Sequence, residues 1–242
     1  TVGIPGAGGA GMGFGGGGGI TTFRVNPADG SLSEVSRTGP DQDDLNSDGM
    51  CISEDSRFLY SVITTPSLGG KRGAGGGVAA FAINQEHGSL SYLNKQPSMG
   101  TNPAGVIIDR TNSRVLVANH GAVSAIATVV KKNGVPVIDT RTDDGTVALF
   151  PVKPDGSLEP ACDVSVFARS EPGEDGKSPA AHQVIFDHSQ RWAIASDNGA
   201  DHLYVYRFNP RMRVLEGKAL PTPAGKAPRH FVFHPRAPFF FI

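Results

Sequence analysis

The sequence predicts an all-β protein that folds as a β-propeller of four-stranded antiparallel blades. Three observations lead to this prediction. One hairpin-like segment recurs along the chain, a second segment recurs between its copies, and no stretch shows the apolar periodicity of a long helix. Blades arranged around a channel are structural repeats, whereas a plain β-sandwich would not be expected to repeat its sequence.

The first repeated segment consists of two apolar strands around a turn. Three copies contain glycine in that turn and a fourth keeps only the spacing: FRVNPADGSL from Phe23, FAINQEHGSL from Phe81, LFPVKPDGSL from Leu149 and YRFNPRMRVL from Tyr206. Their final leucines are 58, 68 and 57 residues apart. Alternating apolar residues on both sides of a short turn indicate a tight antiparallel hairpin.

The second repeated segment is another pair of short apolar strands. Its copies are DGMCISEDSRFLYSV from Asp48, AGVIIDRTNSRVLVAN from Ala104, HQVIFDHSQRWAIASD from His182 and RHFVFHPRAPFFFI from Arg229. Together the two segments supply four strands per period, which is the content of one blade. The chain contains an outer hairpin, three full periods and the start of a fourth inner pair, so we expect about four blades and truncation on the C-terminal side.

The N-terminal segment 1–19 differs from the rest because it contains 11 of the 32 glycines. Gly6 to Gly11 formally match the dinucleotide pattern G-x-G-x-x-G, but that pattern needs a strand before it and a helix after it. Pro5 precedes the match and more glycine follows it. We therefore interpret 1–19 as a Gly-rich segment without a nucleotide site and 20–242 as the propeller domain.

Charge and cysteine content exclude several functions. A net charge of -1 and a pI near 6.6 provide no basic surface for nucleic acid, and no apolar run reaches the ~20 residues that cross a membrane. Cys51 and Cys162 lack the spacing of a zinc or disulfide site, so we expect no metal and no cofactor. The absence of an N-x-S/T sequon and of a disulfide pattern favours a cytoplasmic protein, with export as the alternative. We expect a monomer or a simple homo-oligomer.

The candidate site follows from the positions at which the repeats differ. Alignment of the inner strands places Asp48, Ala104, His182 and Arg229 in one column, and Gly49, Gly105, Gln183 and His230 in the next. Because these columns begin the innermost strand of each blade, their polar members are expected to meet at one mouth of the channel. A histidine and an arginine there can move a proton and hold an anion, although a polar channel also occurs in propellers without catalysis.

The remaining polar residues have simpler interpretations. We assign the recurring aspartates to turns, where Asp bonds its own backbone, and the histidines of polar turns and strand starts to solvent or structure: Asp29, Asp109, Asp155, Asp187, His87, His188, His202 and His234. His120 ends a strand at a loop and stays unassigned. Segment 128–145 is an insertion relative to the other blades; a surface excursion is the simpler interpretation, and a role in substrate choice is the alternative.

Several segments carry a resemblance to a known family. ITTFRVNPADGSL at 20–32, VLVANHG at 115–121, the stretch from Ser178 to Phe208 and GKAPRHFVFHP at 225–235 resemble the seven-bladed propeller lactonases. That family includes 6-phosphogluconolactonase and 3-carboxy-cis,cis-muconate cyclase. The resemblance implies seven blades, of which this chain covers about four. It also implies that His182, from the P-H-x-H segment, and Arg229, from the P-R-H segment, are the active-site residues.

The chain departs from the family pattern at two places. Ala180 replaces the first histidine of P-H-x-H, and the family's Asn-Glu pair, with its proposed catalytic carboxylate, would fall beyond Ile242. The resemblance implies a lactonase for a small anionic sugar-acid lactone, 6-phosphogluconolactone first, with catalytic His182 and Arg229. From the polar columns we expect Asp48, Gln183 and His230 to bind substrate, and Asp48 could instead orient the imidazole of His182. The alternatives are a muconate cyclase at the same site and a non-catalytic binding module.

Overall fold

The computed structural model describes residues 18–39, 45–121, 125–168 and 178–242. The Gly6–Gly11 match lies outside the described residues. Within them the chain forms eighteen strands and a short 3₁₀ turn, Leu68–Gly70, with no α-helix. The strands are β1 Thr21–Val25, β2 Leu32–Arg37, β3 Met50–Ile52, β4 Phe58–Ile63, β5 Gly77–Ile83, β6 Leu90–Pro97, β7 Pro103–Ile108, β8 Arg114–Asn119, β9 Ala125–Lys132, β10 Val135–Thr142, β11 Thr146–Pro151, β12 Asp163–Val166, β13 Ala181–Phe186, β14 Trp192–Asp197, β15 His202–Arg207, β16 Gly217–Pro221, β17 Val232–Phe233 and β18 Phe240–Phe241.

The strands pair into three four-stranded antiparallel sheets. Blade A contains β3, β4, β5 and β6; blade B contains β7, β8, β11 and β12; blade C contains β13 to β16. The hairpin β1–β2 precedes blade A, and the pair β17–β18 follows blade C. This arrangement confirms the predicted four-stranded blades and their order along the chain.

The insertion forms a hairpin of its own, β9–β10, between β8 and β11 of blade B. Both ends of this hairpin lie at the edge where β8 ends and β11 begins. Val129 and Ile138, which pair across it, are about three-quarters exposed. The sequence located the insertion correctly but did not predict its strands.

The turn of each inner pair is closed in the same way four times. Ser53, Asp109, Asp187 and His234 occupy equivalent positions, and the backbone N–H of each donates to a carbonyl five residues ahead at 2.9 to 3.0 Å. Their side chains accept backbone N–H groups across the turn, for example Arg114 N–H on Asp109 Oδ1 at 2.6 Å and Trp192 N–H on Asp187 Oδ1 at 2.8 Å. The assignment of these aspartates to turns is confirmed.

The outer turns close through other local bonds. Asp29 Oδ1 and Asp155 Oδ1 accept the backbone N–H groups of Ser31 and Ser157 at 2.8 and 3.0 Å. The backbone at Gly156 has φ of 85°, a value at which residues with a Cβ are strained. The repeated glycine of the outer hairpins therefore has a conformational cause.

The hydrophobic core lies between neighbouring blades. Blades A and B share a cluster that includes Tyr60, Val78 and Phe150, and blades B and C share one that includes Leu149 and Tyr206. The innermost strand β7 contacts both β3 and β13, so the strand starts that carry the polar columns lie side by side. Among the described residues, no helix has the length and apolarity needed to span a bilayer.

Candidate active site

The starts of the innermost strands approach one another very closely. A Cβ on Gly49 would lie 2.6 Å from the carbonyl oxygen of Ala104, and a Cβ on Gly105 would lie 2.8 Å from that of His182. Any side chain at either glycine would therefore displace the neighbouring strand. The two columns inferred from the repeats are neighbours across the blades, as predicted.

A cavity of about 290 Å³ opens where these strand starts meet, which we call the channel mouth. Four of the five predicted site residues line it: Asp48 before β3, His182 and Gln183 on β13, and His230 before β17. The fifth, Arg229, reaches the same place through a direct bond to His182. The structure thus brings all five predicted site residues to one region.

The central contact of this region joins Arg229 to His182. Arg229 Nε donates to His182 Nε2 at 2.9 Å. Because a guanidinium only donates, Nε2 must be the acceptor, and neutral His182 carries its proton on Nδ1. That Nδ1 is buried and has no partner among the described residues. The bond therefore fixes the tautomer of the imidazole.

The environment of His182 opposes a positive charge. Partial burial, followed by the nearby Arg229, His230 and His120, lowers the pKa of His182 to about 4. The imidazole is therefore neutral at neutral pH. A neutral imidazole is the form that can accept a proton.

Two further histidines flank His182 edge to face. The ring of His230 lies 4.6 Å from that of His182 between centroids, and the ring of His120 lies 5.9 Å away on β8's C-terminal side. His120 is held by its backbone N–H, which donates to Asn102 O at 2.9 Å. Sequence reasoning left His120 unassigned, although its position in VLVANHG was the available signal.

The backbone that carries Arg229 is fastened to blade C. Ser196 Oγ donates to the carbonyl oxygen of Arg229 at 2.7 Å and accepts the backbone N–H of Gln183 at 3.2 Å. Gln183 Oε1 accepts the backbone N–H of Phe231 at 2.6 Å. Gln183 therefore positions the arginine segment, and Ser196, which the sequence did not single out, shares that role.

Asp48 and Ala180 contribute less than the other residues to the contacts around His182 and Arg229. Asp48 is exposed, and among the described residues no hydrogen bond joins its side chain to His182. Its backbone N–H donates to Thr64 Oγ1 at 3.3 Å. Ala180 is buried and its N–H donates to Asp197 Oδ1 at 2.8 Å, so the departure from the P-H-x-H pattern places a small apolar residue in a packed position.

The channel mouth shows no arrangement suited to a metal. Within the described ranges, no group of three or more His, Cys, Asp or Glu residues is placed to hold an ion. Cys51 also lines the cavity, but burial raises the pKa of its thiol to about 12, so it is protonated and a poor nucleophile. Neither Cys51 nor Cys162 forms a disulfide.

Comparison with known proteins identifies the family to which this fold belongs. The family model described as "Lactonase, 7-bladed beta-propeller" matches residues 8–242. The chain belongs to this lactonase family. The match begins within the Gly-rich segment, and the domain boundary at residue 20 stays a prediction, although Ile20 is buried and β1 begins at Thr21.

Individual members of the lactonase family are similar over nearly the whole chain. A 6-phosphogluconolactonase of Bacillus subtilis is 28% identical over 227 residues, which cover 93% of this chain and 55% of that protein. A second, from Formosa agariphila, is 25% identical over 224 residues, 89% of this chain and 54% of that protein. The chain spans about half the length of these relatives.

Solved structures of lactonase-family proteins give the same result. A putative 6-phosphogluconolactonase from Bacteroides uniformis superimposes with a TM-score of 0.69 at 26% identity, over 95% of this chain and 57% of that one. The periplasmic gluconolactonase PpgL of Pseudomonas aeruginosa gives 0.67 at 26% identity, over 90% and 55%. The predicted family and fold are confirmed.

Proposed function

We propose that this protein hydrolyses a sugar-acid lactone, with 6-phosphogluconolactone as the first substrate to test. The observation that carries the proposal is the bonded pair of His182 and Arg229 at the channel mouth of a lactonase-family propeller. Relatives named 6-phosphogluconolactonase support the choice of substrate. The chain spans about half the length of these relatives, and the activity is proposed for the whole protein.

In the proposed mechanism, His182 accepts a proton from the water that attacks the lactone carbonyl. The ring C–O bond then breaks, and protonated His182 returns its proton to the leaving alkoxide to give the open hydroxy acid. Arg229 holds either the developing oxyanion or an anionic group of the substrate. A general base is typically worth ~10²–10⁴ in rate, and an oxyanion donor ~10²–10³.

The other predicted residues are assigned to substrate binding. His230 lines the cavity beside His182, and Asp48 faces the same cavity from the opposite side. We propose that both bind substrate hydroxyls. Gln183 uses its carbonyl oxygen on Phe231, which leaves its amide NH₂ as the group that can donate to substrate.

A muconate cyclase remains the second candidate at the same site. Arg229 would anchor a carboxylate of the muconate, and His182 would deliver a proton as another carboxylate closes onto the double bond. The low pKa of His182 favours hydrolysis in one respect: the imidazole is neutral at neutral pH, which is the form that a general base needs, whereas the cyclase step needs the protonated form. The non-catalytic binding module is the third candidate.

The decisive experiment measures acid release from freshly prepared 6-phosphogluconolactone, with a carboxymuconate assayed in parallel. His182→Ala and Arg229→Ala are each expected to lower turnover by ~10² or more. His87→Ala and Arg211→Ala, at exposed outer turns, are matched controls that should retain full activity. Inertness on both substrates favours the binding module, and cyclisation without hydrolysis favours the cyclase.

The compartment and the oligomeric state stay predictions. We propose a cytoplasmic monomer or simple homo-oligomer; one structural relative is described as periplasmic. Fractionation and sedimentation of the native protein test these two points.

A further inference from the structure

The hydrogen bond between Arg229 and His182 uses the atom that the proposed reaction needs. A neutral imidazole has one ring lone pair able to accept a proton. In His182 that lone pair is on Nε2, which receives Arg229 Nε–H, while Nδ1 bears the proton and is buried. In this arrangement His182, the proposed base, has no free lone pair with which to accept a proton from water in the cavity.

The guanidinium is able to leave this bond without disturbing the fold. Arg229 is exposed, and its remaining N–H groups have no partner among the described residues. Its backbone carbonyl is held separately by Ser196 Oγ at 2.7 Å. The backbone of Arg229 is therefore held in place, while the N–H groups at the end of its side chain are free. A guanidinium in this state can bind a carboxylate or a phosphate with two parallel hydrogen bonds.

We propose that Arg229 caps His182, and that an anionic group on the substrate uncaps the base by drawing the guanidinium onto itself. The idea rests on the proposed function and adds a specificity element to it. The guanidinium and an anion carry opposite charges and can form two parallel hydrogen bonds, whereas the neutral imidazole accepts one bond and carries no charge. A phosphate or carboxylate at the correct position on the lactone can thus compete with a neutral imidazole for Arg229.

The charges around His182 determine how its pKa changes when Arg229 leaves the hydrogen bond. The charged and titratable groups that act on His182 are Arg229, His230 and His120, and the carboxylate of Asp48 lines the same cavity. Among these charged groups, Arg229 has the largest effect in lowering the pKa of His182. Neutralising Arg229 with an anion raises that pKa towards pH 7, where a general base is most effective.

This device predicts discrimination in turnover rather than in binding alone. A neutral lactone of the same ring size fills the cavity without drawing Arg229 away, so His182 stays capped. We expect its kcat to be lower by ~10-fold or more than that of the phosphorylated lactone. A phosphate that only improves binding would change KM and leave kcat alone.

The test is an NMR measurement on the ¹⁵N-labelled protein with inorganic phosphate as the probe. Without phosphate, a scalar coupling across the hydrogen bond should connect Arg229 Nε to His182 Nε2. Saturating phosphate should abolish the coupling and raise the pKa of His182 by about one unit or more. Arg229→Met should show no coupling, a raised pKa and no response to phosphate, whereas the matched control Arg211→Met should behave as wild type.

Two results overturn the proposal. One is a coupling that persists while phosphate binds, which would place the anion on the other guanidinium nitrogens. The other is no phosphate-dependent change at the highest concentration that the protein tolerates. The readout is independent of turnover. Lactone hydrolysis with a persistent coupling would refute only the cap, and loss of coupling without hydrolysis would refute only the proposed function.

Discussion

The two sides of the channel mouth share one backbone arrangement and carry opposite kinds of residue. On the side of blades A and B, the strand starts present Gly49, Ala104 and Gly105; on the other side they present His182 and Arg229. The small residues allow neighbouring strands to approach within van der Waals contact and leave the cavity open. The comparison teaches that the repeat supplies a frame, and that departures from it on one side supply the chemistry.

The largest test of this comparison inserts one methyl group at each of two glycines on the side with small residues, Gly49, which meets blade B, and Gly105, which meets His182 of blade C. In Gly105→Ala the new Cβ would meet His182 O at 2.8 Å, whereas in Gly49→Ala it would meet Ala104 O at 2.6 Å. Both should lower the free energy of unfolding by ~1–3 kcal/mol because of overpacking. Only Gly105→Ala should also reduce lactone turnover, by up to ~10²-fold, because it shifts His182.

Chemical denaturation and steady-state kinetics on both alanine variants check this prediction. Equal loss of turnover in the two variants would show that the strand start next to His182 is no more important for activity than the one next to Ala104. Full activity in Gly105→Ala would show that the position of His182 is not critical.

The second test removes the hydroxyl of Ser196. Among blades A, B and C, only blade C has a hydroxyl at this position. Ser196 corresponds to Ala118 in blade B, where β8 pairs with Gly105. Ser196→Ala leaves the Gln183 N–H and the Arg229 carbonyl without their shared partner. We expect a loss of ~1–3 kcal/mol in the free energy of unfolding and a raised KM. Ser196→Thr should recover much of both, whereas recovery of neither would argue against the hydroxyl's role.

The third test uses the pH dependence of the free energy of unfolding to isolate the contribution of His182. Its pKa falls from 6.5 to about 4 on folding, so the unfolded chain binds a proton that the folded protein does not between these values. The contribution of neutral His182 to stability is complete above pH 6.5 and is lost as pH falls to 4. It amounts to ~1–3 kcal/mol after allowance for partial exposure.

Unfolding measured between pH 7 and pH 4 in wild type and in His182→Gln checks this prediction. The wild type should lose more stability than the variant across that window. Parallel curves for the two proteins would mean that His182 titrates normally in the folded state.

The smallest expected effect is at Asp48, on the side with small residues. Its side chain is exposed and not bonded to His182 among the described residues. Asp48→Asn should change kcat by less than ~10-fold and leave stability within ~0.5 kcal/mol. A loss as large as that of His182→Ala would assign Asp48 to catalysis and make the two sides equivalent.

The sequence predicted what depends on repetition and missed what depends on side-chain geometry. Alignment of the repeated inner strands was sufficient to place His182 and Arg229 at one channel mouth, because alternation and turn residues set the register of each blade. It could not show that Ser196 bonds Arg229, that His120 lies beside His182, or that Gln183 spends its carbonyl on Phe231. These contacts depend on rotamers and on the approach of strands from different blades.

The inner turns have a consequence for how the chain folds. Asp109 and Asp187 each close a hairpin with bonds to residues no more than five positions away, so the nucleus of each blade needs no distant partner. Such local contacts form early and fast compared with pairings across long loops. The four strands of each blade also follow one another along the chain, apart from the inserted hairpin β9–β10 in blade B. We therefore expect synthesis from the N-terminus to add the blades in order, and the Arg229–His182 bond to form only when the segment after blade C docks.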